Sequence, residues 1–345
     1  MERNTANASR FDGTNHAGHY ESWFLRGNEP GGRRAFWIRY TIFQPKGSPE
    51  SAVGERWAIV FSPHGITAVK DIVPLAECRF ARDGLDVVVG DAHLNDDGAV
   101  GQCSGDGRTL RWDLRFEGDA PPLLLLPESL YAGGFPKAKA LVPRPFVTFR
   151  GHIDTGRESI DVGGWRGSQN HNWGVRHTDR YAWGQVASFQ ERDDAFLEVS
   201  TAQVDLGPLR TPWLTPLVLR LGTQEHALNA LWRTVVNDGF YGADAHTVPE
   251  GDLRWTFAAT GASVSVHGTL EAPATSFVAL PYGNPPGGTK YCLNTKIARC
   301  RLEVRSGSTV TRLSSRSAAF EVLCDVAPAG IPLAFLGDER ASPRR

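Results

Sequence analysis

The chain has 345 residues and a formal net charge of −1, so it presents no overall field that would attract nucleic acid or anionic lipid. Its 37 glycines, 22 prolines and 10% aromatic residues are typical of a folded protein rich in strands and loops, which excludes a coiled or disordered chain. The length is enough for two cores, since domains commonly run to roughly 100–200 residues.

The cysteines and the apolar runs indicate the environment of the protein. The five cysteines are an odd number and include no CxxC pair, which argues against a disulfide framework and against a structural zinc site. The N-terminal segment lacks an apolar signal core, and no apolar run reaches the roughly 18 residues of a membrane-spanning helix. We therefore expect a cytoplasmic protein without stable membrane insertion and without a nucleic-acid partner. The sequence leaves the oligomeric state open.

The N-terminal part of the chain predicts a tail followed by strands. Residues 1–18 are polar, and we expect them to form a flexible tail. Residues 35–44 (AFWIRYTIFQ) alternate with a period of two and carry large side chains on both faces, which predicts a strand covered on both sides. Arg39 lies in this strand and needs a partner if it enters an interior. Glu21 is one candidate; a guanidinium that extends to solvent from the strand end is the other interpretation.

The rest of the chain consists of short strand-like segments separated by Gly, Pro, Asn and Asp. Residues 107–118 alternate as a half-exposed antiparallel strand does, and the Pro-rich residues 121–145 predict a long connection. Because such strands occur throughout both halves, we predict two antiparallel barrels or sandwiches packed together. We place the domains at residues 19–206 and 207–345.

Chemistry-bearing side chains are most concentrated in residues 164–184, which hold three tryptophans and two histidines. We interpret this stretch as a strand, a turn and a second strand whose side chains enter a cavity. Glycines permit the close turns, and tryptophans need a large apolar pocket. A β core with hydrogen-bonded, idle histidines is the alternative, and residue types alone do not decide between them.

Residues two apart on a strand face the same way, so His171 and Trp173 place an imidazole beside an indole. Tyr181 and Trp183 form a second such pair. Histidine transfers protons near neutral pH, and aromatic walls suit an apolar, polyunsaturated ligand. The chain has no nucleotide-binding or zinc-protease motif, and His171 and His177 do not have the spacing of metal ligands, so we expect neither a cofactor nor a metal.

The segments NHNWG and RYAWG within this stretch resemble the His-x-Trp-Gly signature of the two-lipocalin proteins typified by hydroxyneurosporene synthase (carotenoid 1,2-hydratase). That group includes AttH-type proteins, and lipocalin-type Diels–Alderases are distantly similar. The resemblance implies an all-β fold of two lipocalin-like antiparallel β-barrels. It also implies cofactor-free, acid–base addition of water to a double bond, with His171 and Trp173 at the matching positions.

The chain departs from the hydratase pattern downstream, where a tyrosine and an aspartate are expected. Phe196 and Glu198 occupy that region; Glu198 can replace the acid, whereas Phe196 cannot replace a phenol. Hydration of a carotenoid is therefore less well supported than the fold. The candidate catalytic residues are His171, Tyr181 and Glu198. The candidate substrate-binding residues are Trp165, Asn170, Trp173, Trp183 and Arg39.

We expect a cofactor-independent enzyme that hydrates, cyclises or isomerises an isoprenoid or polyketide-like substrate in a tryptophan-lined pocket. A lipocalin-type carrier of a lipid or pigment is the alternative, and a protein whose aromatic residues are all structural is a third. Cys292 shares a strand face with Asn294 and Lys296. A buried structural thiol is the preferred interpretation of this cysteine over a nucleophile.

Overall fold

The structure is a computed structural model that describes residues 1–241 and 251–335. Strands make up most of it, and thirteen of them form the first sheet. In chain order these are β1 (His19–Asn28), β2 (Ala35–Gln44), β3 (Val53–Ser62), β4 (Gly65–Pro74), β5 (Cys78–Phe80), β6 (Asp86–Val89), β7 (Ala92–Asn95), β8 (Gly98–Gly105), β9 (Arg108–Glu117), β10 (Leu123–Leu124), β11 (Ala138–Asp154), β12 (Ser159–Asp161) and β13 (Trp165–Gly174).

The following strands form a second sheet and a separate small hairpin, β16–β17. They are β14 (Arg180–Val186), β15 (Ala195–Gln203), β16 (Asp205–Leu206), β17 (Leu209–Arg210), β18 (Leu217–Leu221), β19 (Gln224–Leu228), β20 (Asp238–Tyr241), β21 (Asp252–Thr260), β22 (Val264–Pro273), β23 (Val278–Gly283), β24 (Thr289–Ser306) and β25 (Thr309–Cys324). The helices are short: α1 (Arg3–Asn7), α2 (Ser129–Ala132), α3 (Leu231–Thr234) and single 3₁₀ turns at Pro49–Ser51, Leu75–Glu77 and Ala274–Ser276. Across these two described ranges, no helix has the length and apolarity needed to cross a membrane.

The predicted all-β fold of two antiparallel units is confirmed, but the barrels are not closed. The first sheet runs β4-β3-β2-β1-β13-β11-β9-β8-β7-β6-β5, with β10 and β12 paired to β11. The second runs β19-β18-β15-β14-β25-β24-β22-β21-β20, with β23 paired to β24. Within the described residues, the end strands of each path do not pair with each other, so each sheet curls around a core without completing its hydrogen-bonded circle.

Each sheet has its own core on its inner face, and the alternation of its strands accounts for this. On β2, Phe36, Ile38 and Tyr40 belong to the core of the first sheet. On β14, Ala182 and Val186 belong to the core of the second. Successive side chains of a strand point to opposite faces, so the intervening residues must be covered by something else.

The outer faces of the two sheets cover each other. Phe24, Trp37 and Trp57 of the first sheet form one buried cluster with Trp183 and Tyr282 of the second. The prediction that β2 is covered on both sides is therefore correct: its second face is buried by the other domain.

The chain passes from one sheet to the other between β13 and β14, inside the tryptophan- and histidine-rich stretch 164–184. β13 pairs with β1 and β11, whereas β14 pairs with β15 and β25. The chain thus changes sheets between Gly174 and Arg180, while the domain boundary near residue 206 stays a prediction. The composition break at 207–212 corresponds to the small hairpin β16–β17.

Residues 1–18, which the sequence predicts as a flexible tail, include α1 and pack on the first sheet. Ala6 and Asn7 are buried, and the Asn7 carbonyl accepts a hydrogen bond from Trp23 Nε1 at 2.9 Å. Asn7 Oδ1 also accepts from Gln169 Nε2 at 2.9 Å. Asn7 thus provides acceptors for buried donors of β1 and β13, and this segment packs on the first sheet although its sequence is polar.

Candidate active site

A cavity lies between the outer faces of the two sheets. Its walls come from β1, β2 and β13 of the first sheet, from β14, β15 and β25 of the second, and from the connection that precedes β11. The cavity has a volume of about 210 Å³ and forms part of a cleft whose empty space, solvent included, is about 1430 Å³. Deep, largely preformed clefts at domain interfaces are common places for small-molecule sites.

One part of the cavity wall is apolar. It is formed by the Pro-rich connection, by the start of β11 and by residues around α3: Leu125, Leu126, Leu130, Phe135, Pro136, Leu141, Leu214, Pro216 and Leu231. Arg220 and Asn229 of the second sheet hold this connection in place by donating hydrogen bonds to four of its backbone carbonyls, between Pro121 and Leu125. The connection therefore spans the two domains and walls the cavity with leucine side chains.

Glu198 lies at the polar part of the cavity and is only 2% exposed. Trp183 Nε1 donates to one carboxylate oxygen at 2.7 Å, and Gln185 Nε2 donates to the other at 2.8 Å. Burial raises the pKa of Glu198 from 4.5 to about 7, although these two hydrogen bonds and the charge of Arg26 oppose the shift. A carboxyl group with this pKa can both give and take a proton at neutral pH.

A network of hydrogen bonds fixes Gln185, and through it Glu198. Ser168 Oγ donates to Gln185 Oε1 at 2.6 Å, and Gln185 Nε2 donates to Asn170 Oδ1 at 2.7 Å. Arg26, fully buried, donates to the Gln185 carbonyl at 2.8 Å. β13 and β1 of the first sheet thus orient a side chain on β14 of the second.

A second carboxylate, Glu321 on β25, also lines the cavity. Lys296 Nζ lies 2.6 Å from its Oε1, and Asn294 Nδ2 donates to the same oxygen at 2.9 Å. Lys296 is completely buried, and this burial lowers the pKa of its ammonium group. Glu321 is therefore held by a cation, whereas the hydrogen bonds to Glu198 come from neutral donors.

The Cys292 thiol lies beside this pair, 3.5 Å from Glu321 Oε2. Burial raises its pKa well above the ordinary value, and Glu321 adds to the effect. A thiolate nucleophile needs the opposite shift. The geometry supports the interpretation of Cys292 as a structural thiol.

His171 is fully buried and both of its ring nitrogens are engaged. Nδ1 donates to the Ala6 carbonyl at 2.6 Å, and Nε2 donates to Glu21 Oε1 at 2.9 Å. The ring stacks on Trp23 at 4.6 Å between centroids. His171 thus joins α1 to β1 and β13, and its ring has no free nitrogen for a substrate.

The alternation of β13 separates the residues that the sequence predicts as one site. Asn170 lines the interdomain cavity, while Trp173 packs against His171 and Tyr131 and lies under Arg10. Trp165 belongs to the core of the first sheet. The wall contributed by β13 is therefore polar, and its two tryptophans lie elsewhere.

Tyr181 and Trp183 both line the cavity, because β14 turns this face toward the first sheet. The Tyr181 hydroxyl lies 3.8 Å from Cys292 Sγ. Burial raises the pKa of Tyr181 well above its ordinary value, so this phenol stays protonated. All three candidate catalytic residues line the cavity, but both ring nitrogens of His171 are bound, to Ala6 and Glu21.

Arg39 also lines the cavity and is 4% exposed. Its partner is Ser22, to whose Oγ its Nη2 donates at 2.6 Å, and not Glu21, which lies on the other face of β1 and binds His171. The guanidinium lies 4.6 Å from the centroid of Tyr282. Arg39 therefore enters an interior and does not extend to solvent, but its partner is not the Glu21 that the sequence suggested.

Sequence reasoning missed Glu321, Gln185 and Arg26. Their spacing carries little signal, since Glu321 lines the cavity, and Gln185 and Arg26 support Glu198 behind it, only because their strands place them next to partners distant in the chain. The grouping of Asn294 and Lys296 on one face of β24 was correct, but its true partner, Glu321, lies on the neighbouring strand. Within 1–241 and 251–335, no group of three His, Cys, Asp or Glu side chains is placed to hold a metal ion.

No protein-family model matches the sequence. Two curated relatives of Mycobacterium tuberculosis are similar along most of the chain: uncharacterized protein Rv0493c of strain H37Rv and uncharacterized protein MT0513 of strain CDC 1551. Each is 26% identical over 298 residues, which cover 84% of this chain and 82% of the relative.

Solved structures are similar in fold. A proposed AttH of Nitrosomonas europaea, NE1406, superimposes with a TM-score of 0.55 and 13% identity, covering 94% of this chain and all (100%) of that chain. The structure of CghA with Sch210972 superimposes with a TM-score of 0.50 and 12% identity, covering 90% of this chain and 89% of the CghA chain. The resemblance to AttH-type proteins is thus confirmed at the level of the fold. The chain has the two-domain β fold of the proposed AttH NE1406.

Proposed function

We propose that this protein is an enzyme that binds an apolar small molecule between its two β domains and transfers a proton to or from it through Glu198. The reaction is a hydration, an isomerisation or a proton-initiated cyclisation of a double bond. The substrate is of isoprenoid or polyketide type, because the leucine-rich part of the cavity suits a hydrocarbon chain.

The observation that carries this proposal is the position of Glu198. A buried carboxyl group with a pKa of about 7 faces an apolar cavity and is held by Trp183 and Gln185. Perturbed acids of this kind are concentrated at functional sites. A carboxyl group used only for structure would be satisfied at less cost by a cation, as Glu321 is by Lys296.

The two carboxyl groups have different roles in this proposal. Protonated Glu198 delivers its proton to a substrate carbon, which breaks the O–H bond and forms a C–H bond. Water then adds to the resulting carbocation and gives up a proton, or a carbon next to the carbocation loses a proton and a new double bond forms; in either case Glu198 takes up that proton. Glu321, paired with Lys296, orients the water or the leaving proton. Proton transfer by a positioned group contributes roughly 10²–10⁴-fold to a rate.

Three residues support the site without touching the reacting atoms. His171 and its partner Glu21 fix the N-terminal segment to the first sheet, which keeps β1 and β13 in register behind the cavity. Trp183 positions Glu198. The solved structure of CghA with Sch210972 supports the idea that a fold of this kind accommodates a small organic molecule.

Native mass spectrometry of the protein purified gently from its own host, before and after organic extraction, tests the proposal. We expect a bound mass that disappears on extraction. The extracted compound is then incubated with the wild type, with Glu198→Gln and with Glu50→Gln, a matched change at an exposed glutamate. We expect conversion by the wild type and by Glu50→Gln and none by Glu198→Gln.

Two results would oppose the proposal. A compound that binds tightly but is returned unchanged by the wild type would identify the protein as a carrier. Conversion at the wild-type rate by folded Glu198→Gln would remove Glu198 from the reaction.

A further inference from the structure

Arg39 is a buried cation without an anionic partner in the part of the chain that the structure describes. Ser22 accepts from its Nη2 at 2.6 Å, while its Nε is buried and has no hydrogen-bond partner. The guanidinium lies among three rings instead, 4.6 Å from the ring centroid of Tyr282 and 5.7 Å from those of both Trp37 and Trp57. Its side chain lines the cavity.

A second unused donor lies beside it. Trp37 Nε1 is buried without a hydrogen-bond partner, and Trp37 is 1% exposed and lines the same cavity. A buried N–H without an acceptor costs free energy, and a buried charge without a counter-charge costs more. Two such groups from one strand, facing one cavity, indicate that an acceptor on a ligand completes the site.

The surrounding charges favour a negative acceptor. Arg26, Arg39 and Lys296 are buried at this part of the interface, whereas Glu321 is ion-paired with Lys296 and Glu198 is partly protonated at neutral pH. The other titratable groups beside Arg39 supply no negative charge. The pKa of Tyr20 and that of Tyr282 are raised by burial, and the pKa of His177 is lowered to about 3 by burial and by Arg39.

We infer that the ligand is an apolar carboxylic acid whose carboxylate binds Arg39 and Trp37 Nε1, while its hydrocarbon part extends along the leucine-lined wall. The inference rests on the proposed function, because it names the substrate class of the same cavity. It also specifies an orientation: the acidic end lies against β2, and Glu198 acts on a carbon further along the chain.

A pair of ligands that differ only in the head group tests this site. All-trans retinoic acid and all-trans retinol have the same skeleton, and their binding is followed by quenching of tryptophan fluorescence, since Trp37 and Trp183 line the cavity. Hydrogen bonds to a charged group are strong enough that we expect the acid to bind roughly 10- to 100-fold more tightly than the alcohol. Arg39→Met should reduce the affinity for the acid to that for the alcohol and leave the alcohol unaffected.

Two further variants complete the design. Trp37→Phe keeps an aromatic ring but removes Nε1. It should therefore weaken the binding of retinoic acid only, and by less than Arg39→Met does. Arg150→Met removes an arginine that is 70% exposed on β11, and it should change neither affinity. Circular dichroism melting curves check that each variant folds; should Arg39→Met not fold, Trp37→Phe alone decides.

Each remaining outcome has a distinct meaning. Equal binding of acid and alcohol by the wild type would overturn the carboxylate site but leave the apolar cavity and the role of Glu198 standing. A preference for the acid that survives in folded Trp37→Phe and Arg39→Met would also overturn it. If the folded wild type binds neither compound, both this inference and the proposed function are contradicted.

Discussion

The raised pKa of Glu198 predicts a pH-dependent loss of stability that Glu198→Gln should abolish. The folded protein holds this proton up to a pKa of about 7, whereas the unfolded chain releases it near 4.5. The folded state is therefore favoured fully below pH 4.5, and this contribution disappears as the pH rises through 7. Burial is the cause, since it disfavours the ionised carboxylate.

The size of the effect follows from the same two pKa values. The shift from 4.5 to about 7 corresponds to about 3 kcal/mol over the whole titration and to about 2.5 kcal/mol between pH 5 and pH 8. The amide of Glu198→Gln does not titrate, so the wild type should lose about 2.5 kcal/mol relative to the variant across this interval. The amide also has one acceptor oxygen for two donors, Trp183 and Gln185, which adds an offset that does not depend on pH.

Urea unfolding followed by tryptophan fluorescence, at pH 5, 6, 7 and 8, measures the difference. Glu50→Gln is the matched control and should follow the wild type at every pH, because Glu50 is exposed. A constant difference between the wild type and Glu198→Gln from pH 5 to pH 8 would refute the reasoning, since it would mean that folding does not change the affinity of Glu198 for its proton.

Three further predictions concern His171, Lys296 and Trp183. His171→Ala should lower the free energy of unfolding by about 1–3 kcal/mol, because it leaves the buried Ala6 carbonyl without its donor and removes one of several partners of Glu21. Faster proteolysis within residues 1–18 should accompany this loss, and an unchanged denaturation curve would contradict it. Lys296→Met should lower the free energy of unfolding by about 3–5 kcal/mol, because it leaves Glu321 without its cation. In a double-mutant cycle, adding Glu321→Leu should recover most of that loss. Additive losses from the two substitutions would be evidence against the ion pair. Trp183→Phe removes a hydrogen-bond donor to the Glu198 carboxylate and should therefore raise the pKa of Glu198 further. Infrared titration of the protonated carboxyl band measures this pKa. A lower titration midpoint in the variant than in the wild type would contradict the role of Trp183 as a donor.

The sequence predicted the class of fold and the strands with clean alternation, and physical reasons account for both. β2 shows the logic best: its Phe36, Ile38 and Tyr40 fill one core, and its Trp37 and Arg39 face the other domain. A period of two is a local property and can be read from neighbours in the chain.

The connection between the domains could not be predicted in the same way. β13 and β14 are joined by five residues, and their short separation suggests a hairpin, yet each pairs with strands far away in the chain. Sheet membership depends on the partners β1 and β25, which local patterns do not reveal. The contacts of residues 1–18 could not be predicted for a related reason, because Ala6 and Asn7 pack against residues near position 170.

The candidate site was predicted in part. Tyr181, Trp183, Asn170, Arg39 and Glu198 were singled out, and all five line one cavity. The central role assigned to the His-x-Trp-Gly motif remains a prediction. The structure supplies the environment that a motif lacks: His171 lines the cavity but has both ring nitrogens bound, to Ala6 and Glu21, while Glu198 is held by neutral donors and lines the same cavity.

The central claim is that Glu198 gives a proton to a molecule bound between the domains, and reaction in deuterium oxide tests it most directly. The compound extracted from the protein is incubated with the wild type and with Glu198→Gln in D₂O, and the products are analysed by mass spectrometry after exchangeable deuterium is washed out. We predict one carbon-bound deuterium in the wild-type product and no product from Glu198→Gln. A wild-type product without carbon-bound deuterium, or the same labelled product from both proteins, would contradict the claim.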